Sequence, residues 1–213
     1  MGTIEALSLA MGTAWTSGIN LYATVAALGI ANRLDMIQLP QNLEVLSHPG
    51  VIAIACIMYL IEFFADKVPY LDTGWDALHT FIRVPAGAIL AARSLGDMNP
   101  ALELIALLAG GSIALVAHGT KATARLAINA SPEPFSNWAA SVAEDVTVFG
   151  SVWLMFNHPI IMMILVLIFL ALVAWLVPKI YRLAKRGFQA LRDKMRGVKP
   201  DHPSPDGSSP QLT

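Results

Sequence analysis

One uninterrupted apolar segment constrains this chain more than any other feature. Residues 159–178 read PIIMMILVLIFLALVAWLVP and contain no ionisable side chain. About 20 mostly apolar residues are enough for a helix to cross a bilayer. Over the whole chain, 55% of residues are hydrophobic and 14% are charged, a more apolar composition than that of soluble domains. We therefore expect an all-α membrane protein with several transmembrane helices.

Six apolar stretches are long enough to predict transmembrane helices within a domain of residues 1–178. No Lys or Arg precedes Arg33, so the start lacks the charged region of a signal peptide and is expected to stay as the first span. The single Cys56 cannot form an intrachain disulfide, and we interpret it as a small core residue. The predicted spans are residues 4–31, 50–66, 80–96, 101–120, 139–157 and 159–178.

Basic residues are concentrated at the carboxyl terminus. Residues 1–178 carry 6 Lys and Arg with 12 Asp and Glu, whereas residues 179–213 carry 8 and 3. The positive-inside rule places this terminus in the cytoplasm, and six spans then predict a cytoplasmic amino terminus as well. The loops within residues 67–79 and 121–138 are predicted to be cytoplasmic. Those near residues 32–49, 97–100 and 158 are predicted to be external.

The residues after the last span divide into two predicted segments. Apolar residues recur every three or four positions between Ile180 and Met195, with Lys and Arg on the other faces. This pattern predicts a basic amphipathic helix over residues 179–197 that binds anionic lipid headgroups. Residues 198–213 have the Pro, Ser, Asp and Gly composition of a disordered tail.

Two stretches, SGINLYATVAALGIAN from Ser17 and HGTKATARLAINASPEP from His118, resemble each other. Each has a Gly followed two positions later by a polar residue, Asn20 or Lys121. They divide the chain into possible repeats, residues 1–97 and 98–180, with three predicted spans each. An odd number of spans would invert the second repeat, as in many secondary transporters. Helices rich in Ala and Gly also resemble each other by composition alone.

Charged residues form helical rows inside or beside apolar segments. Residues 61–85, IEFFADKVPYLDTGWDALHTFIRVP, contain four carboxylates, two cations and a histidine. Charges in an apolar environment persist when they are paired, so we predict that acidic rows face a basic row across the bundle. The acidic rows are Glu62 with Asp66, and Asp72 with Asp76, His79 and Arg83. The basic row is His118, Lys121 and Arg125, and the fifth span opens with Glu144 and Asp145.

The same residues support a functional and a structural interpretation. A desolvated pair such as Glu62 and Asp66 could bind a proton or cation, while Lys121 and Arg125 could contact anions. Gly18 and Asn20 mark a candidate helix break, where unwound backbone could bind an ion. Alternatively, the charges only fix helix register, Lys67 extends to the headgroups, and Glu144 forms a capping box with Ser141.

A metal site is a third interpretation. Asp76 and His79 share a helix face and could bind a metal together with His118. With such a site, the protein could be a metal-dependent enzyme that acts on lipid headgroups, although we favour a non-enzymatic protein. The chain has no nucleophile elbow, Walker loop, HExxH or CxxC motif. We expect no cofactor and no nucleic-acid partner, and a homo-oligomer is possible.

Three motifs resemble a bacterial integral-membrane family known as domain of unknown function 4126. They are SGINLYATVAALG, EFFADKVPYLDTGWDALHTFIRVPAGA and ALVAHGTKATARLAINASPEPFSN, and the resemblance covers about residues 8–155. It implies a polytopic inner-membrane protein and supplies no activity. Val84 before Pro85 departs from the family pattern and puts the helix start there in doubt. The family's polar motifs fall on Glu62, Asp66, Lys67, Asp72, Asp76, His79, Arg83, His118, Lys121, Arg125 and the loop 131–137.

Together these features predict a small transporter or channel for an ion or a small polar solute. The alternative is a membrane scaffold that binds a partner or anionic lipid and whose charges are structural. The metal-dependent enzyme comes third.

Overall fold

The computed structural model describes residues 1–68, 71–130 and 134–195. The predicted disordered tail and the last two residues of the predicted amphipathic helix lie outside these residues. The described residues are helical and contain no strand, as the all-α prediction requires. The helices are α1 (Thr3–Arg33), a short 3-10 helix (Gln41–Ser47), α2 (Pro49–Ala65), α3 (Leu71–Ser94), α4 (Pro100–Asn129), α5 (Pro134–Asn157) and α6 (Pro159–Met195).

Within the described residues, three helices are long and apolar enough to cross a membrane. They are Pro100–Asn129, Phe135–Asn157 and Pro159–Arg182. The 3-10 helix and α2 would make a fourth span if counted together, with a bend of 64° between them. The chain is thus a helical membrane protein. α1 and α3 are outside this group because buried Ser, Thr, Asn and charged side chains interrupt their apolar residues.

α1 is broken at Asn20, within the segment where the sequence predicted a break. Asn20 has extended backbone angles (φ −147°, ψ 99°) inside an otherwise helical element. Its side-chain Oδ1 accepts a hydrogen bond from the backbone N–H of Ala23 at 2.9 Å. This is the geometry of an N-cap, which satisfies one of the free N–H groups at a helix start. α1 therefore consists of two half-helices, residues 3–19 and 21–33.

The two half-helices of α1 fold back on each other. On a straight helix, residues 5 and 33 would lie about 42 Å apart at 1.5 Å per residue. Instead, Glu5 and Gln38 line one cavity together with Phe156. The other contacts agree, because the Ser8 hydroxyl donates to the Met155 carbonyl at 3.4 Å and Ala31 shares a cavity with Trp153. α1 is thus a helical hairpin whose tip is Asn20 and whose two outer ends lie at the end of α5.

Small residues allow the hairpin to pack closely against α3 and α4. A Cβ added to Gly18 would clash with the carbonyl oxygen of Ala114 and lie 2.7 Å from the Cβ of Ala117. A Cβ on Gly87 of α3 would lie 2.6 Å from the Cβ of Ala114. Such close backbone approach is the usual basis of helix association in membranes. The tip of α1 is consequently held in a compact core of three helices.

Several predicted helix boundaries differ from the structure. α3 begins at Leu71 instead of residue 80, so Pro85 lies inside the helix and not at its start. α5 begins at Pro134, so the predicted capping box of Ser141 and Glu144 is wrong, because both residues lie inside the helix.

The chain divides into two compact units, residues 1–173 and residues 174–213. In the second unit, α6 continues as helix to Met195 and includes Pro178. The Lys179 ammonium lies 3.2 Å from the ring centroid of Trp175, and Arg182 Nε donates to the Pro178 carbonyl at 3.1 Å. Binding of this segment to anionic headgroups stays a prediction.

Candidate functional site: an ionic network at the tip of α1

Seven charged side chains from four helical segments are joined by ion pairs close to the tip of α1. Six of them are at most 5% exposed, and the Glu144 side chain is 16% exposed. The acidic and basic rows predicted from the sequence do pair with each other. We call this group the ionic network, and its members are Glu62, Asp66, Asp76, Arg83, Lys121, Arg125 and Glu144.

Arg83 of α3 connects two carboxylates at the most buried end of the network. Its Nη2 lies 2.7 Å from Glu62 Oε1, and its Nη1 lies 2.7 Å from Asp76 Oδ1. Arg83 and Glu62 are both 0% exposed. A charge buried to this degree is tolerated only when opposite charges and hydrogen bonds accompany it. The guanidinium is thus held between α2 and α3 by these two acids.

Lys121 of α4 lies at the centre of the network. Its Nζ is 3.1 Å from Glu62, 3.4 Å from Asp66, 3.1 Å from Glu144 and 3.7 Å from Asp76. The same nitrogen donates to the backbone carbonyl of Ile19 at 3.1 Å. An ammonium group has three N–H donors, and here five oxygens surround it. Lys121 therefore cannot satisfy all of its neighbours at once.

The carbonyl of Ile19 links the network to the hairpin. Ile19 ends the first half-helix, and the carbonyl groups at a helix end carry partial negative charge. The break at Asn20 therefore presents an acceptor to Lys121 that a continuous helix would have used internally. Broken helices whose ends contact charged groups inside the membrane are typical of transporters.

Arg125 closes the network on the α5 side. Its Nε and Nη2 each lie 3.0 Å from a different oxygen of Glu144, a bidentate arrangement. Nη2 also lies 3.2 Å from Asp66 Oδ2, and Nη1 donates to the Asp66 carbonyl at 3.1 Å. Arg125 thus joins the end of α2 to the middle of α5. Nη1 further donates to the Asn137 carbonyl at 3.2 Å.

His118 lies beside the network as a neutral side chain. Its Nδ1 is 3.2 Å from Arg83 Nη1, and its Nε2 is 2.7 Å from the Thr80 hydroxyl. A guanidinium can only donate, so Nδ1 must be the unprotonated acceptor and the proton is on Nε2. His118 therefore adds no positive charge to the network.

The described residues do not bring Asp76, His79, His118 and a further carboxylate together as the predicted metal site. His79 Nδ1 lies 2.8 Å from the Trp75 carbonyl, and its ring stacks on Trp75 at 4.2 Å between centroids. Both ring nitrogens of His118 are also occupied. In the described parts of the chain, no three His, Cys, Asp or Glu side chains are placed to hold a metal ion.

Asp72 lies outside the ion pairs and binds uncharged donors. Asn129 Nδ2 lies 2.9 Å and 3.0 Å from its two oxygens, and the backbone N–H of Thr73 donates to it at 2.6 Å. Asn137 in turn donates to Asn129 Oδ1 at 2.8 Å. The sequence did not assign a role to Asn137, which connects Asp72 to Arg125 through these amides. Its only signal was the polar loop 131–137, which the family resemblance included without giving Asn137 a role.

Lys67 and Asp145 were site candidates, and the structure places both beside the network. Lys67 Nζ donates to the Phe63 carbonyl at 2.9 Å and lies 2.9 Å from the Phe63 ring centroid. Burial lowers the pKa of this ammonium group, and the nearby Asp145 carboxylate acts in the opposite direction. Asp145 is hydrogen bonded to Tyr59.

The ionic network contains more negative than positive charge. Four carboxylates face three cations, which leaves one negative charge when every group is ionised. One oxygen on each of three carboxylates has no hydrogen-bond partner among the described residues. These atoms are Glu62 Oε2, Asp66 Oδ1 and Asp76 Oδ2. When fully ionised, the network therefore carries one unbalanced negative charge together with three unpartnered carboxylate oxygens.

A cleft leads to the network between α4 and α5. It has a volume of about 270 Å³ and is lined by Ile19, Thr120, Thr147 and Phe169 among others. Lys121 and Glu144 are the network members that line it. Glu144 is also the most exposed member. A small solute or ion would meet the network first at Glu144.

Comparison with known protein families identifies the family of this chain. A family model described as "Domain of unknown function (DUF4126)" matches residues 7–179. The chain belongs to the DUF4126 family. No curated protein and no solved structure matches it.

The DUF4126 match confirms the resemblance seen in the three sequence motifs and extends it. The motifs suggested a limit near residue 155, whereas the match continues through the long apolar segment of α6. Every member of the ionic network lies within it. Membership in DUF4126 describes no activity, so a function has to be argued from the site.

Proposed function

We propose that this protein is a small transporter or channel for an ion or a small polar solute, with the ionic network as its binding site. The observation that carries the proposal is the excess negative charge of a buried network at the tip of a broken helix. Ionisable side chains within membrane helices are costly and commonly mark ion pathways. The cleft to Glu144 supplies an entry.

A second candidate is a membrane scaffold whose network only stabilises the bundle. It is favoured by the observation that every cation of the network pairs with at least two carboxylates. These pairs connect α2, α3, α4 and α5. A purely structural network gains nothing from excess charge, however, and we therefore place the transporter first.

We also propose a membrane arrangement. The protein lies in the inner membrane of a bacterium in this arrangement. Its basic carboxyl-terminal segment favours the cytoplasmic side. If α1 enters and leaves at one face, only α2 to α6 cross, and the two termini lie on opposite sides. This arrangement differs from the six spans and the two cytoplasmic termini predicted from the sequence. The inverted repeat of residues 1–97 and 98–180 stays a prediction.

Ion currents across reconstituted membranes test the transport function. Proteoliposomes are adsorbed on a solid-supported membrane, and concentration jumps of Na⁺, K⁺, protons, phosphate and neutral amino acids are applied in turn. Transport predicts a current for at least one of these that Glu144→Gln reduces at least tenfold. Glu103→Gln is the matched control, because Glu103 lies in the first turn of α4, away from the network.

The result separates the two candidates. A current that is lost in Glu144→Gln and retained in Glu103→Gln supports transport through the network. If wild-type protein gives no current with any of the probes while it remains folded, the scaffold becomes the better explanation. Circular dichroism of both variants verifies that the helices are intact.

A further inference from the structure

We infer that the ionic network holds one proton, shared between Asp66 and Glu144, and that this proton is the ion that couples transport. The inference rests on the proposed function and names the ion that occupies the site. It is carried by the positions of these two carboxylates relative to Lys121 and Arg125.

Asp66 and Glu144 compete for the same two donors. Lys121 Nζ lies 3.4 Å from Asp66 Oδ2 and 3.1 Å from Glu144 Oε2. Arg125 Nη2 lies 3.2 Å and 3.0 Å from the same two oxygens. The two carboxylates therefore face each other across a shared pair of cations. Lys121 also pairs with Glu62 and Asp76, so its single charge cannot balance both Asp66 and Glu144, and one of these two carboxylates is then favoured in its protonated form.

The charge count requires one further positive charge. With four carboxylates and three cations, the network holds an unbalanced negative charge in an apolar bundle. An unbalanced buried charge is avoided by a change of protonation state. His118 cannot supply the charge, since its Nδ1 accepts from Arg83. One protonated carboxyl group makes the network neutral.

A proton fits the available atoms better than a metal cation does. Metal ions bound by oxygen commonly need about six ligands that converge on one point. The described residues offer single unpartnered oxygens on three carboxylates and no arrangement of three acidic or histidine ligands suited to a metal. Asp66 is 2% exposed and keeps one oxygen, Oδ1, without a partner. A proton needs only one such oxygen.

The proton can reach this pair from the cleft. A proton arriving in the cleft binds a Glu144 oxygen and forms the neutral acid. Lys121 then donates one of its protons to Asp66 Oδ2 and takes the proton of Glu144 from Oε2 in return, and rotation of the Asp66 carboxyl group exchanges its two oxygens, which leaves the proton on the side without a partner. Lys121 remains an ammonium ion, and one carboxylic acid is present before and after the exchange. The proton has thereby moved from the edge of the network to its buried side.

Charged and titratable groups of α2, α3, α4 and α5 surround the pair. Glu62 comes from α2, and Asp76, Arg83 and Asp72 come from α3. His118, Lys121 and Arg125 come from α4, and Asp145 and Lys67 lie beside Glu144 and Asp66.

Infrared spectroscopy of the purified full-length protein tests for the proton directly. A protonated carboxyl group has a C=O stretching band that ionised carboxylates lack and that shifts in D₂O. We expect this band in wild-type protein at neutral pH. Asp66→Asn and Glu144→Gln should each lose it, because either change leaves three carboxylates facing three cations. Asp145→Asn is the matched control and should retain the band, since Asp145 is outside the ion pairs.

Several results would overturn the inference. Absence of the band in wild-type protein, with thermal stabilisation by NaCl or KCl but not by choline chloride, assigns the site to a monovalent cation. Absence of both effects leaves the network without any bound positive charge. Retention of the band in both Asp66→Asn and Glu144→Gln places the proton elsewhere. Unfolding curves of the variants verify that each result comes from folded protein.

The same experiment separates this inference from the proposed function. If the band depends on Asp66 and Glu144 but no probe gives a current, the bound proton is supported and the transport function is rejected. If a current is measured but the band is absent, the bound proton is rejected and the transport function is supported. A proton-driven current together with the band supports both.

Discussion

At the scale of single residues, Arg83 is the most deeply buried cation of the ionic network. It is 0% exposed, and it pairs with Glu62 and Asp76 at 2.7 Å each. Its removal would raise the imbalance of the network from one negative charge to two. The acids cannot move to solvent, so the bundle would have to hold this additional charge or take up a further proton.

We expect Arg83→Met to lower the free energy of unfolding by about 3–5 kcal/mol, the usual cost of breaking a buried ion pair. Arg93→Met is the matched control, because Arg93 is exposed on the same helix and its loss should cost less than about 0.5 kcal/mol. The double variant Arg83→Met/Glu62→Gln should regain part of the loss. Denaturant unfolding in detergent measures these differences, and equal stability of the two single variants would contradict the prediction.

The sequence predicted the rows of charge but not every contact within them. Asp72, Asp76, His79 and Arg83 share one helical row, yet only Asp76 and Arg83 enter the network. Periodicity defines the face of a helix, whereas the neighbouring helices decide which residue meets a partner. His79 instead stacks on Trp75. The sequence predicted that unwound backbone between Gly18 and Asn20 could bind an ion, but it did not identify Lys121 as the partner of the Ile19 carbonyl.

At the scale of elements, the break in α1 depends on the Asn20 side chain. Its oxygen caps the second half-helix through the Ala23 N–H at 2.9 Å. The sequence indicated a break at Gly18 and Asn20, but it did not reveal that the two halves fold back. The direction of the second half is set by contacts with α5 that lie more than 100 residues away in the chain.

We expect Asn20→Ala to lower the free energy of unfolding by about 1 kcal/mol, because the free N–H group at the helix start loses its acceptor. Asn20→Ser is the matched control, since its hydroxyl oxygen can still accept that hydrogen bond and should preserve most of the stability. Thermal unfolding of the purified proteins compares them. If Asn20→Ala were as stable as wild type, packing alone would hold the hairpin in place.

At the scale of the whole molecule, the number of crossings depends on α1. Charge distribution along the chain predicts the side of the carboxyl terminus, and it carries no information about whether α1 crosses. The structure links the start of α1 to the loop after it, because Glu5 and Gln38 line one cavity. Asn42 of the 3-10 helix that follows also donates to Asp97 at 3.2 Å. The start of α1, the segment that follows α1 and the connection between α3 and α4 therefore lie at one end of the bundle.

Single cysteines therefore give a direct test of the arrangement. In a Cys56→Ala background, Thr3→Cys, Asp35→Cys and Asp97→Cys should react with an impermeant maleimide added to intact cells, because the proposed arrangement places all three at the external end. Gln189→Cys should react only after the membrane is permeabilised. Six crossings predict instead that Thr3→Cys behaves like Gln189→Cys. The label at residue 3 thus decides between the two arrangements, since Asp35, Asp97 and Gln189 have the same location in both. Only a hairpin that enters and leaves at one face places both ends of α1 on the external side.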